Sequence, residues 1–116
     1  MSFCIIRVVN SKLAEVIVNE GAVIDEIEVA EYHDVLLNVL DAPFSLLINK
    51  LHAYTYTFKA QRSITDLKEL KAVAIVVKTA GAILSTETLI QVSREVHDNI
   101  KLFRTREEAL NWLKKK

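Results

Sequence analysis

At 116 residues, 51% of them apolar and 26% charged, the chain has the make-up of one globular domain spanning residues 1–116. A domain of this length buries roughly 65% of its unfolded surface without a staple, and the single cysteine, Cys4, excludes an intramolecular disulfide and any multi-cysteine metal centre, so no cofactor is expected. Fifteen basic and fifteen acidic side chains cancel, which removes a long-range field for nucleic acid or anionic lipid; two glycines cannot build a glycine-rich phosphate loop, and the longest apolar run, Ala72–Val77, falls far short of the roughly 20 residues that span a bilayer.

Met1–Ile6 has no basic leader before Arg7 and reads as the beginning of a strand, so a cytoplasmic location is expected. Phe3–Val9 and Leu13–Val18 are rich in β-branched residues on either side of Asn10-Ser11-Lys12. This is a hairpin whose glycine-free loop is expected to be bulged, with Asn10 in the left-handed region. Asn19-Glu20-Gly21 breaks the second strand. Asp25 and Glu28 have capping-box spacing and open a helix. Val29, His33, Leu36, Val39 and Leu40 recur at helical intervals as its expected stripe, with His33 at the helix edge, Glu28, Glu31 and Asp34 form its wet face, and Asp41-Ala42-Pro43 its end.

Phe44–Asn49 is a nearly continuous apolar run, as in a strand covered on both faces, and Val73–Val77 is a second. Between them lie a polar and aromatic stretch, Lys50–Thr57, and a modest amphipathic helix from Phe58 to Lys68, which together make a strand-helix-strand crossover. A strongly apolar third helix is expected over Ile83–Val96, then a short strand at Ile100–Phe103. The closing helix is capped by the Thr105/Glu108 box and turns Ala109, Leu110, Trp112 and Leu113 inward. The expected architecture is α/β, a mixed β-sheet in the order β-β-α-β-α-β-α-β-α with helices packed on it.

Net neutrality hides a division. Leu13–Asn49 holds eight acids and no lysine or arginine, a charge of −8, which leaves +8 on the remainder. Either each element shows water a face of its own sign, or the opposite patches meet another protein or another copy of the chain.

The element order and three stretches resemble the small bacterial STAS-like proteins, the SpoIIAA-like family that includes anti-sigma-factor antagonists and is loosely akin to the lipid-binding CRAL-TRIO fold. The clearest stretch is Lys101-Leu102-Phe103-Arg104-Thr105-Arg106-Glu107-Glu108-Ala109-Leu110-Asn111-Trp112-Leu113, a Phe-ending strand, a capped turn and an acidic-Ala-Leu-x-Trp-Leu helix; Phe44–Asn49 and Ala72–Val77 support it. In antagonists of this fold the phosphorylated serine opens the helix after the central strand, within an Asp-Ser-Ser-Gly-like turn. The matching stretch here, Tyr54–Lys59, has neither serine nor glycine. Thr55 and Thr57 are the hydroxyls there that could accept phosphate, with Lys59 and Arg62 close in sequence, and Thr57 also suits a helix cap. The resemblance implies a non-enzymatic regulatory or protein-interaction domain.

The side chains agree in offering little chemistry. His33, His52 and His97 lack metal-ligand spacing, Cys4 has no base beside it, and the acid pairs lie at helix starts, where capping accounts for them. No enzyme is expected. The stretch after Phe44–Asn49 leaves a strand end where open α/β sheets hold ligands, so Leu51, His52, Tyr54, Tyr56, Phe58, Lys59 and Arg62 are the candidate loop for a ligand or partner. Its aromatic and basic mix also occurs in single-stranded nucleic-acid sites, but one such cluster on a neutral chain does not predict that partner. Ile83 and Leu84 are the candidate apolar interface, as core, dimer face or groove wall. Two expectations follow. The first is binding of a protein partner or of a second copy, as a homodimer. The alternative is a carrier of a small apolar or lipid-like ligand held between sheet and helices near Leu51, Tyr54, Phe58, Ile83 and Leu84.

Overall fold

The computed structural model describes residues 2–52, 54–78 and 99–116. Cys4–Asn10 (β1) and Leu13–Val18 (β2) form an antiparallel hairpin in which Arg7 lies opposite Glu15. The register shifts between Val8 and Asn10, which is the expected bulge. Asn10 is not left-handed, because no described residue other than glycine has a positive φ. Its Oδ1 instead accepts the Lys12 N–H at 2.8 Å, and this Asx turn closes the loop with ordinary backbone angles. A positive φ, 75°, is found at Gly21, where the chain turns from β2 toward Val23–Ile24 (β3).

Asp25 caps Glu26–Val39 (α1) with both arms of the expected box: the Glu28 N–H donates to Asp25 Oδ1 at 2.8 Å and the Asp25 N–H to Glu28 Oε1 at 3.3 Å. The buried stripe is Val29, Tyr32 and Leu36, continued by Leu40 at the C-cap. Val39 does not belong to it, and His33 lies at the helix edge as expected. Val39 is exposed, and His33 is half-buried at the rim, where Nε2 donates to Ile64 O at 2.9 Å. Positions 32 and 33 both have helical spacing to Leu36; the larger apolar ring takes the core and the imidazole takes the edge, where a polar partner is within reach.

Phe44–Asn49 (β4) is followed by Thr55–Tyr56 (β5), Phe58–Ser63 (α2) and Leu70–Val76 (β6), and the described chain closes with Ile100–Phe103 (β7) and Arg106–Lys114 (α3). Five strands form one mixed sheet in the order β1-β2-β4-β6-β7, antiparallel only at β1–β2. β4 and β6 are neighbours as expected, with Leu46 beside Val73 and Ile48 beside Ile75. Two features depart from the expected order. β3 and β5 are short strands that pair in parallel as a separate ribbon, and α2 stops at Ser63 rather than reaching Lys68. A two-residue strand carries too little alternation to be seen in sequence. The expected helix over 83–96 lies outside the described residues.

The sheet is covered on both faces. Val16, Val18, Leu46, Val73 and Ile75 pack with α1 and α2. On the opposite face Leu47, Ala72, Ala74 and Val76 pack with Ala109 and Leu113 of α3. The alanines keep that face low, so the short α3 lies close to the strands while Trp112 reaches Phe103 with ring centroids 5.6 Å apart. Phe44, Leu36 and Leu47 are fully buried, each contributing about 2–3 kcal/mol of apolar transfer.

Candidate functional site

β3 and β5 each run directly into a helix. The Thr55 N–H donates to Ala22 O and the Thr57 N–H to Ile24 O, both at 2.9 Å, and the next residue on each strand is an N-cap, Asp25 for α1 and Thr57 for α2. The two helices therefore begin in phase at one end of the molecule, bridged by Lys59 Nζ and Glu26 Oε1 at 3.8 Å. The Thr57 hydroxyl accepts the Ala60 N–H at 3.3 Å, so it serves as a cap, while Thr55 is exposed on β5.

This ribbon sorts the candidate loop into two groups by alternation along its strands. Ile24 and Tyr56 face inward. Outside, Val23, Ile27 and Phe58 are 61%, 67% and 68% exposed, more than any other large apolar side chains described, and Leu51 is exposed as well. The Arg62 guanidinium lies 5.7 Å from the Phe58 ring centre. His52 Nδ1 is 3.7 Å from Glu20 Oε2, both side chains in water. Ile83 and Leu84 lie outside the described residues.

The inward group closes a cavity of about 40 Å³, lined by Tyr32, Tyr54, Tyr56, Lys50, Ile48 and Ile64 among others. Tyr54 and Tyr56 meet edge to face at 5.5 Å, and the Tyr56 hydroxyl donates to that of Tyr54 at 3.4 Å. Lys50 Nζ sits 4.7 Å from the centre of the Tyr54 ring. Burial pushes the Tyr54 phenol up to about 12, also raises the Tyr32 and Tyr56 phenols well above the ordinary value, and lowers the Lys50 amine. At neutral pH the phenols are un-ionised, so this cavity supplies hydrogen bonds and aromatic surface and no phenolate base.

A second polar constellation went unread in the sequence. Glu15, in the middle of β2, is only 2% exposed. Arg106, the first residue of α3, holds it through Nε to Oε1 at 3.1 Å and Oε2 at 3.2 Å and through Nη2 to Oε1 at 3.0 Å; Asn49 at the end of β4 donates Nδ2–H to Oε2 at 3.0 Å. Burial alone would raise the Glu15 carboxyl, but the hydrogen bonds from Arg106 and Asn49 and the charges of Arg106 and Arg7 outweigh it and hold it below the usual carboxylate range. Glu15 and Arg106 are 91 residues apart, and the one local trace was an acid interrupting a Val/Ile strand.

Chemistry beyond contact is sparse among the described residues. No group of three or more His, Cys, Asp or Glu gathers to hold a metal. Burial, with a smaller push from the Glu28 charge, raises the Cys4 thiol to about 11, against the pull of the N-terminal charge. No described helix is long and apolar enough to cross a membrane.

Among solved structures, the chain is similar to an uncharacterized protein of the DUF3478 family with a SpoIIAA-like fold from Shewanella loihica PV-4. The two share 15% identity over 95% of this chain and 91% of that one, with a TM-score of 0.59. At that identity the likeness speaks of architecture alone: the fold is SpoIIAA-like, as the resemblance of the closing segment implied. No protein-family model and no curated protein matches the chain.

Proposed function

We propose that the chain is a non-enzymatic regulatory or interaction domain of STAS-like type, and that it recognises a protein partner through the end where α1 and α2 begin. The supporting observation is the exposed set Val23, Ile27 and Phe58, which stands in water beside Lys59, Arg62 and Glu26. Large apolar side chains ringed by charge are the composition of a contact surface with a dry centre and a polar rim. Phe58, rigid and two-thirds exposed, is the anchor, and the charges around it set orientation and encounter rate.

Affinity capture with the full chain, run beside Phe58→Asp and Ile27→Asp variants, tests this reading. A bound protein should be retained by the unaltered chain, lost from both variants, and released as salt rises. Retention that ignores both substitutions refutes the assignment of the surface, and sedimentation as a monomer with nothing retained refutes the function. A sedimentation shift to a dimer that Phe58→Asp abolishes identifies the partner as a second copy.

The cavity behind Tyr54 and Tyr56 supports a second reading, carriage of a small apolar ligand, in keeping with the distant CRAL-TRIO likeness. Its size weighs against this reading. About 40 Å³ is well below the ~150 Å³ that admits benzene, so a lipid would have to displace both tyrosines. Native mass spectrometry of the purified chain decides: a retained small molecule favours the carrier, and a single unliganded mass leaves the interaction domain.

A further inference from the structure

At the opposite end of the sheet from the β3–β5 ribbon, the geometry points to a binding site for a phosphoryl anion in a concavity of about 180 Å³ between the last turn of α3 and the start of β4, walled by Lys12, Lys71, Lys114 and Lys116. The four ammonium groups come from three separate parts of the chain: the β1–β2 turn, the start of β6 and the end of α3. No Asp or Glu side chain lines the concavity among the described residues. Its other polar members are Asn10 and Ser45, with Leu13, Pro43 and Leu113 completing it. Ser45 is only 8% exposed. Its hydroxyl can donate to an anion that the excess of positive charge around it would attract.

The ordinary explanation of terminal lysines covers only part of this. Lys114 and Lys116 answer the negative end of the α3 dipole. Lys12 lies in space just past the C-cap of α1, and Lys71, on β6, sits at no helix end. Lys12 reaches the Ala42 carbonyl at 3.5 Å and Lys116 lies 4.8 Å from the Trp112 ring centre, weak contacts that leave both heads with donors to spare. Four like charges in one hollow repel, and a group carrying two or more negative charges relieves that repulsion better than a carboxylate with one. The volume far exceeds the ~10–15 Å³ that one water needs, so a multi-atom anion fits.

The same phosphoryl chemistry is found on soluble metabolites and on lipid headgroups, so the test has two arms. The isotope-labelled full chain is titrated with inorganic diphosphate at low ionic strength and followed by amide spectra, and it is floated with vesicles of phosphatidylcholine containing phosphatidic acid. Saturable shifts confined to Lys12, Ser45, Lys71 and the last turn of α3 are expected. Lys12→Glu and Lys71→Glu should each weaken binding roughly tenfold, while Lys101→Glu, the same charge change on β7, should leave it within about twofold. Saturable shifts without flotation support a soluble ligand, and flotation that Lys71→Glu abolishes supports a headgroup. The proposal is overturned by absence of both responses, by shifts that never saturate, or by equal weakening in all three variants. The spectra report directly whether each variant is folded.

Discussion

Glu15 is a charge carried into a β-sheet interior, which is tolerable only because three donors from two distant elements meet it. Removing the cation and removing the anion are therefore unequal losses. Arg106→Ala strands a buried carboxylate and should cost about 2–4 kcal/mol, toward the low side for a buried pair because Arg106 itself is half exposed. Glu15→Gln keeps shape and the bond from Asn49, and lets Arg106 return to water, so it should cost about 1–2 kcal/mol; urea unfolding of both variants checks the order. The carboxyl is held below its ordinary value in the folded chain, so its stabilisation is complete above the unfolded value of about 4.3 and disappears as pH falls through the lower folded one. Loss of stability between pH 7 and pH 3 should accordingly be smaller for Glu15→Gln than for the unaltered chain, measured by thermal melting across that range. At Cys4 the raised thiol predicts slow chemistry: at pH 8 the native chain should react with a disulfide reagent far more slowly than the urea-unfolded chain. Equal rates would mean that the β1 end opens readily.

α1 separates what periodicity fixes from what it leaves open. Its start was readable, since Asp25 and Glu28 announce a box that forms with both arms present, and Asp25→Ala should cost about 1 kcal/mol in unfolding free energy. Its rotation about its own axis was not readable. Val29 and Leu36 are compatible with either His33 or Tyr32 as the third member, and only the partner surface, which belongs to residues far away in the chain, chooses between them. Leu36→Ala should therefore cost about 2–5 kcal/mol while Val39→Ala stays within about 0.5 kcal/mol, although both residues belonged to the expected stripe. The β3–β5 ribbon makes the same point for the site. The sequence groups Tyr54 and Tyr56 with Phe58 in one candidate loop, but a pairing of two residues with two, set by Val23 and Ile24 on another loop, is what turns the tyrosines in and the phenylalanine out.

For the molecule as a whole, the mixed sheet and the adjacency of β4 and β6 were legible because both announce themselves as runs that only a doubly covered strand can carry. The segregation of charge was legible too, but not its use. Part of it is consumed internally: Glu15 meets Arg106, and Glu26 meets Lys59, each an acid of the −8 segment paired with a cation from outside it. Two poles carry charge beyond these pairs, the mixed apolar and charged end at Phe58 and the lysine hollow at the other end of the sheet. Partner binding at the first pole should weaken as ionic strength rises from about 0.05 to 0.5 M yet persist through its apolar centre, whereas anion binding at the second should vanish over that range. Isothermal titration at the two salt concentrations separates them. The clasp between Glu15 and Arg106 also sets a timetable for the newborn chain. At about 5–20 residues per second, a ribosome needs roughly 5–18 s to travel from one to the other. Through that interval the β2 carboxylate waits without its guanidinium and one side of the sheet lacks α3, so a translation product that stops short of Arg106 should be a substrate for proteases.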